Sequence, residues 1–380
     1  MTTSPARRQF AGAAAAAAAF TIVKPQSVRG SQANSSVSLG VIGFGNRGGH
    51  VTPNHFAKHE FLRVAAVCDI YDDKLEDARK KFSGAKLVKN YKEILSGDYD
   101  AVYIATPAYL HPEHFEAAVA SRKHIFMEKP AAVDAEGCHR VLRAARKADK
   151  SKRITVDFQQ RYGKDYRKAR QVVKSGEVGE LKMVRAAWIG GGPPLKSGHA
   201  QSEERVRNWF FYRELSGDML IEQDCHNIDV VNWFTERHPV KVSGYGSRKV
   251  RMYGDIFDNL ACTFQFDDGL VFSYSANQFK APGFSDISET FLCEKGAVNV
   301  SRKGYTVWRE KGAPEVVQTA YDITRDAVFE FVDGVREGKL ENAGFHAASS
   351  TLTAVMALEA CVKGKEVTWD KLAKGQSFEA

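Results

Sequence analysis

Between residues 37 and 158, short apolar runs alternate with amphipathic stretches. The runs VSLGVIGFG, RVAAVCDI, AVYIATP, KHIFMEKP and RITVDF are apolar at both odd and even positions, which predicts strands covered on both faces. HPEHFEAAVASR and DAEGCHRVLRAARKA repeat their apolar residues at helical spacing. Alternation of this kind predicts an α/β domain, a parallel sheet with helices on both faces. After about residue 162 the pattern changes: a helix ending at SGEVGE, a strand ELKMVRAAWIG, a Gly/Pro loop GGGPPLKSGHAQ and one helix DMLIEQDCHNIDVVNWF. NLACTFQF and LVFSYSANQF flank an Asp-Gly turn and predict a hairpin. Two helices, near 322–337 and 345–362, close the chain. The expected architecture is the α/β domain over residues 34–160, then an α+β domain with a large, mostly antiparallel sheet over residues 161–380, with no internal repeat.

Residues 1–33 read as an export signal. Arg7 and Arg8 precede an Ala-rich apolar run over residues 11–23, too short to span a bilayer, and Ser31-Gln32-Ala33 offers small residues for cleavage. The paired arginines with Phe10 resemble the twin-arginine signal, which exports folded proteins; Ala6 and Ala11 depart from its usual flanks and leave the general secretory route open. The expected location is periplasmic or otherwise exported, without stable membrane association. This segment holds four basic residues and no acid, so the formal charge of +8 falls to +4 without it. Acids and bases are interleaved, as in DDKLEDARKK, so no basic stripe is offered to nucleic acid. The six cysteines show no C-x-x-C pair and no metal-ligand spacing, and no metal is expected. An oxidising compartment would permit a disulfide, but nothing in the spacing calls for one.

The turn GFGNRG places Gly43, Gly45 and Gly48 in G-x-G-x-x-G spacing, with Phe44, Asn46 and Arg47 between them, after a strand and at the start of a helix. This is the phosphate-binding turn of a Rossmann-type domain: one glycine for the tight turn, one for approach of a pyrophosphate, one for helix–strand packing. Asp69 ends the next strand 21 residues after Gly48, where a carboxylate can accept from a ribose hydroxyl and repels a 2′-phosphate. NAD is therefore expected in preference to NADP. Thr106, Pro107 and His111 follow the AVYI run at the ligand-binding edge of such a sheet, His111 being equally readable as a helix N-terminal surface residue. Glu128 and Lys129 end the next strand before Pro130, and a lysine there could polarise a substrate oxygen or take part in proton transfer.

The glycine turn, Asp69, ATPxxxH, EKP and a helix carrying an acid-x-x-x-His motif together resemble the Gfo/Idh/MocA oxidoreductase family over residues 37–372. The resemblance implies oxidation or reduction of sugars and related polyols, Lys129 as catalytic lysine, a cis Lys129–Pro130 peptide, and a homo-oligomer. It implies that His226 accepts the hydroxyl proton, with Glu222 standing where many relatives carry aspartate and Asp224 where many carry glycine. Helical spacing puts Glu222, His226 and Asp229 on one face at i, i+4 and i+7. FQQRY matches a family segment facing the cofactor cleft, which makes Gln160 a cofactor candidate and Arg161 and Tyr162 substrate candidates. In ERVRNWFFYRELSGD, Trp209, Tyr212 and Arg213 are candidate sugar contacts, because aromatic faces and planar multi-donor groups bind sugars; packing against the sheet is the alternative for each.

An exported nicotinamide enzyme would lose a cofactor that dissociated at each turnover. Two solutions keep it: a carbohydrate oxidoreductase with tightly held NAD(H) that oxidises one sugar and reduces another, or a redox-neutral NAD-dependent glycosidase that oxidises, eliminates, hydrates and reduces again. A non-catalytic cofactor- or carbohydrate-binding protein is the reading of another class, against which Lys129 with His226 argues.

Overall fold

The computed structural model describes residues 36–319 and 321–378, and the expected export segment, residues 1–33, lies outside them. Six strands, β1 (Val37–Ile42), β2 (Leu62–Cys68), β3 (Lys86–Val88), β4 (Ala101–Ile104), β5 (His124–Met127) and β6 (Ile154–Val156), form one parallel sheet in the order β3-β2-β1-β4-β5-β6. Strand β3 has no counterpart in the sequence reading, because it is three residues long with one buried side chain, Val88. The order reverses between β1 and β4, and the carboxyl ends of these strands open the crevice where such sheets take their ligands.

Phe56, Tyr103, Phe126 and Phe331 pack edge-on or tilted under this sheet, with centroids 4.9 Å (Phe56–Tyr103), 5.3 Å (Phe56–Phe126) and 5.4 Å (Phe126–Phe331) apart. Phe331 belongs to the late helix Ile323–Glu337, capped by Asp322, so this part of the chain returns to cover the first sheet.

The second sheet has nine strands: β7 (Leu181–Ile189), β8 (Lys241–Ser247), β9 (Asn259–Gln265), β10 (Val271–Asn277), β11 (Asp286–Cys293), β12 (Gly296–Ser301), β13 (Gly304–Arg309), β14 (Glu315–Gln318) and β15 (Val367–Thr368). Their order is β14-β13-β12-β11-β7-β10-β9-β8-β15, antiparallel throughout except for β7 with β10. The β9–β10 hairpin forms as the Asp-Gly turn requires, with Gly269 at φ +87°. Register puts Ile287, Trp188 and Ala276 in one row of the inner face and Val300, Glu289, Ala186 and Tyr274 in the next. Helices Lys164–Ser175, Cys225–Thr235 and Gly344–Lys363 pack on that face. The opposite face leaves Met183, Leu292 and Trp308 exposed.

One expected element divides. The helix read as DMLIEQDCHNIDVVNWF is two, Asp218–Glu222 and Cys225–Thr235, separated at Gln223 and Asp224. Asp218 begins it at φ +76°, held by an Arg213 ion pair and the Phe257 N–H. The break removes the common face expected for Glu222, His226 and Asp229. All six cysteines are thiols, with Cys262 Sγ 3.4 Å from Cys361 Sγ.

Candidate functional site

A cavity of about 1020 Å³ lies at the carboxyl ends of β1 and β4, between the glycine turn and residues 193–211. The turn has the shape a dinucleotide needs. Gly43 adopts φ +94°, and a Cβ there would lie 2.6 Å from the Ala105 carbonyl oxygen. A Cβ on Gly48 would lie 2.1 Å from Gly43 O, whereas one on Gly45 would meet open space on the cavity side. The helix Asn46–Asn54 starts at the cavity with no acid in its first turn, leaving its N–H groups and dipole for an anion. Asp69 lines the cavity; its Oδ2 accepts from Phe44 N–H at 2.7 Å and its Oδ1 from Tyr71 N–H at 3.0 Å. Burial raises its pKa despite these donors. These residues fit NAD: the close-approach glycines and an uncovered helix start for the pyrophosphate, and a carboxylate with free lone pairs for the ribose.

Thr106, Pro107, His111, Glu128 and Lys129 line the same cavity. His111 is a brace: its Nδ1 is 2.6 Å from Pro130 O and its Nε2 2.9 Å from Thr106 O, which ties the turn after β4 to the cis Lys129–Pro130 turn after β5. Burial holds its pKa down. Arg47 reaches over the strand ends to Glu128 Oε1 at 3.0 Å and to the buried Asp157, and Tyr103 OH donates to Glu128. Asp157, which the sequence reading missed, is pushed up to about 7 by burial and by Glu128. Phe44 contributes its N–H to the turn while its ring lies in the core, against Phe82.

Lys129 Nζ forms an ion pair with Glu222 Oε1 at 3.0 Å and donates to the Glu222 carbonyl. Burial, the largest influence, draws the lysine pKa down, but Glu222, with Cys225 and Glu128, raises it and the net shift is upward. His226 is buried one turn further on; its ring lies 6.1 Å from Trp188 at 17° and meets Phe158 edge-on. Its Nδ1 is enclosed without a partner, and the residue lies behind the cavity wall, not among the residues that line it. Burial, followed by Lys129, Arg302 and Arg47, holds its pKa well below the usual histidine value, so the imidazole is neutral at pH 7.

Other expected contacts are directed elsewhere. Arg161 makes a two-pronged pair with buried Asp229, both contacts at 2.8 Å, and Tyr162 OH donates to Glu341 at 2.7 Å. Both are interior braces, since their polar ends are engaged away from the cavity. Gln160 is buried with Oε1 unpartnered and does not reach the cavity wall. Trp209 lines the cavity, but Tyr212 lies under Arg205, and Arg213 pairs with Asp218 over the Phe257 ring. The sequence reading also missed how the Gly/Pro loop is used. Its continuation carries Arg207, which pairs with Asp73 at 2.8 and 3.0 Å and covers the Tyr71 ring at 3.9 Å, while Lys196 lines the cavity. Hydrogen bonding to Arg207 brings Asp73 down to about 2. Among the described residues no group of three His, Cys, Asp or Glu is placed to hold a metal ion.

Residues 37–158 match the family described as "Oxidoreductase family, NAD-binding Rossmann fold", and residues 166–299 match the "GFO/IDH/MocA C-terminal domain". The chain belongs to the Gfo/Idh/MocA oxidoreductase family. It is an NAD-dependent oxidoreductase, and its parallel and antiparallel sheets are those of the family. The inositol 2-dehydrogenase of Salmonella typhimurium (strain LT2) is 25% identical over 344 residues, 87% of this chain and 95% of that protein. The myo-inositol 2-dehydrogenase of Thermotoga maritima is 22% identical over 67% of this chain and 72% of its own length. The fold is shared with a levoglucosan dehydrogenase in complex with NADH and levoglucosan (TM-score 0.74, 19% identity, 88% of this chain and 99% of the other). It is shared equally with the Lactobacillus casei scyllo-inositol dehydrogenase with bound NAD(H) and scyllo-inositol (TM-score 0.71, 21% identity, 88% and 99%).

Proposed function

We propose that this Gfo/Idh/MocA protein oxidises a secondary hydroxyl of a sugar or cyclic polyol, is exported, and keeps its NAD(H) bound between turnovers. The observation that carries the reading is the pairing of Lys129 with Glu222 in the cavity that the glycine turn also lines, with neutral His226 buried behind it within electrostatic reach of Lys129. NAD, when bound, supplies the hydride acceptor. The N-terminus of helix Asn46–Asn54 would take the pyrophosphate, and Asp69 a hydroxyl of the adenosine ribose. Lys129 would hold the reacting oxygen by a hydrogen bond, its ammonium fixed in direction by Glu222. His226 would accept the hydroxyl proton, which a neutral imidazole can do and an imidazolium cannot. Curated relatives named as inositol dehydrogenases support the polyol class.

Retention is supported by the contacts of Arg207, which tie the loop bordering the cavity to Tyr71 and Asp73. The exposed outer face of the second sheet, with Met183, Leu292 and Trp308, supports a homo-oligomer in which a second copy covers it.

The test is absorbance and mass spectrometry of nucleotide released by denaturing protein that has been exported, purified and dialysed. Stoichiometric NAD(H), followed by its reduction on adding a sugar or inositol, is expected. A nucleotide-free protein active on added NAD would overturn the retained-cofactor reading, and release of aglycone from aryl glycosides without net NADH would replace it with the redox-neutral glycosidase.

A further inference from the structure

Two of the six thiols lie against each other. Cys262 is on β9 and points to the inner face of the second sheet, between buried Leu260 and Phe264 on the same side of the strand. Cys361 is in the last turn of the helix Gly344–Lys363, which packs on that face. Their sulfurs are 3.4 Å apart, although 99 positions separate them in the chain. Both residues are buried, at 3% and 7% exposure.

A glycine makes the space that they share. Gly244 of β8 stands opposite Cys262 in the register, and a Cβ there would lie 2.7 Å from Cys262 Sγ and 3.0 Å from Cys361 Sγ. Any larger residue at 244 would displace one sulfur or both. The other thiols are placed differently: Cys225 Sγ faces the Glu222 carbonyl, Cys293 Sγ that of Phe291, and Cys68 and Cys138 are buried in the first domain. The hydrogen bond within the pair raises the pKa of Cys262 and lowers that of Cys361, so Cys361 is the sulfur that ionises first. Residues 362–366, which follow it, are exposed, so opening of the last helical turn admits an oxidant.

We propose that Cys262 and Cys361 are a disulfide-forming pair that closes under oxidising conditions, and therefore in the compartment to which the protein is exported. The second half of this statement rests on the export reading. The Cys361 thiolate attacks a sulfur of an external disulfide, carried by a protein or a small molecule, and expels one thiolate. Cys262, giving up its proton, then attacks the Cys361 sulfur of the mixed disulfide and expels the other. One S–S bond forms in the chain, the external one is reduced to two thiols, and the two protons stay with those thiols. The sulfurs approach by about 1.4 Å to reach bonding distance. The same helix reaches the candidate site: Thr351 Oγ1 accepts from Ala131 N–H at 3.0 Å, just after the cis Lys129–Pro130 turn, and Ser350 OH donates to Asp229 at 2.7 Å. The cross-link fixes to β9 the helix that holds the lysine turn, and it closes a long loop, where constraint of the unfolded chain is greatest.

The experiment counts thiols in the full chain, made once in an exporting host and once held in a reducing cytoplasm. Each sample is denatured with N-ethylmaleimide present, weighed by mass spectrometry and peptide-mapped, and the reduced protein is measured again after native incubation with oxidised glutathione. The expected result is six modified thiols in the reduced protein, but four, with a Cys262–Cys361-linked peptide, in both the exported and the glutathione-treated protein. Oxidation is expected to raise the urea midpoint of the wild type and to leave that of Cys361→Ala unchanged. Six modified thiols after glutathione treatment, a linkage through any other cysteine, or a urea midpoint equally raised in Cys361→Ala would overturn the proposal. Closure by glutathione in a chain that fractionation finds only in the cytoplasm would overturn export and leave the pair standing, whereas an exported chain with six free thiols would overturn the pair and leave export standing.

Discussion

Lys129, at the end of β5, and Glu222, at the end of the broken helix 93 residues later, meet at 3.0 Å and join the two sheets' domains at the candidate site. The pair sets the charge of the lysine. Burial alone would lower the ammonium pKa, and Glu222, the largest raising influence, together with Cys225 and Glu128 reverses this. Glu222→Gln removes the raising partner and leaves the desolvation. If the protonated lysine holds the reacting oxygen, the alkaline limb of the kcat/KM profile moves to lower pH in this variant. Lys129→Ala is expected to lower kcat by about 10²–10⁴-fold. An unchanged alkaline limb in Glu222→Gln would separate Lys129 from the reaction.

His226 titrates below the usual histidine range, with desolvation as the main cause. Activity is therefore expected to hold its plateau below pH 6.5 and to fall only under more acidic conditions. His226→Ala should lower kcat by about 10²–10⁴-fold while nucleotide content stays at the wild-type level. An acid limb at an ordinary histidine pKa would place a different group in the role of base.

Asp69 faces the cavity near two lysines, Lys74 and Lys196. Its charge is what opposes a 2′-phosphate there, and removing it leaves cations to receive one. Asp69→Ser is expected to raise kcat/KM for NADP and lower it for NAD, shifting the ratio by about tenfold or more, equivalent to about 1.4 kcal/mol. Steady-state kinetics with both nucleotides checks this, and an unchanged ratio would remove Asp69 from cofactor choice.

Arg207 ties the cavity loop to the first domain through Asp73 and the Tyr71 ring. The ion pair is partly exposed and contributes modestly, and the cation–π contact adds a comparable amount, together about 1–2 kcal/mol. Arg207→Ala should speed nucleotide dissociation by roughly tenfold, measured by stopped-flow displacement. Equal rates would show that retention has another source.

Glu289 is a buried carboxyl whose folded-state pKa is raised to about 8. A raised folded pKa stabilises the fold below the unfolded value, near 4.3, and this stabilisation is lost as pH rises toward 8. Glu289→Gln keeps an amide for Asn227 and has no proton to lose. Its stability relative to wild type should therefore improve as pH rises through that window, by about 3 kcal/mol at pH 7 relative to pH 4. Denaturant melts at several pH values check the slope, and a pH-independent difference would mean that Glu289 is not protonated in the folded protein.

The repeating apolar runs, the glycine spacing and the EKP segment were enough to determine the parallel sheet, the cofactor turn and the placement of Lys129, because each depends on residues within one strand–turn–helix unit. The alternating strands likewise determined a mostly antiparallel second sheet. Tertiary structure decided which side chains face the cavity. Helical spacing could not show that the chain breaks at Gln223 and Asp224, since the break is held by contacts of Asp218 with Arg213 and Phe257. Nor could it show that Arg161 is taken by Asp229, that Arg207 crosses to Asp73, or that Arg302 folds over Trp188, because each partner is distant in sequence and ion pairing leaves no periodic trace. Local spacing specifies elements, whereas the partner of a buried charge is chosen by whichever opposite charge the assembled fold brings within reach.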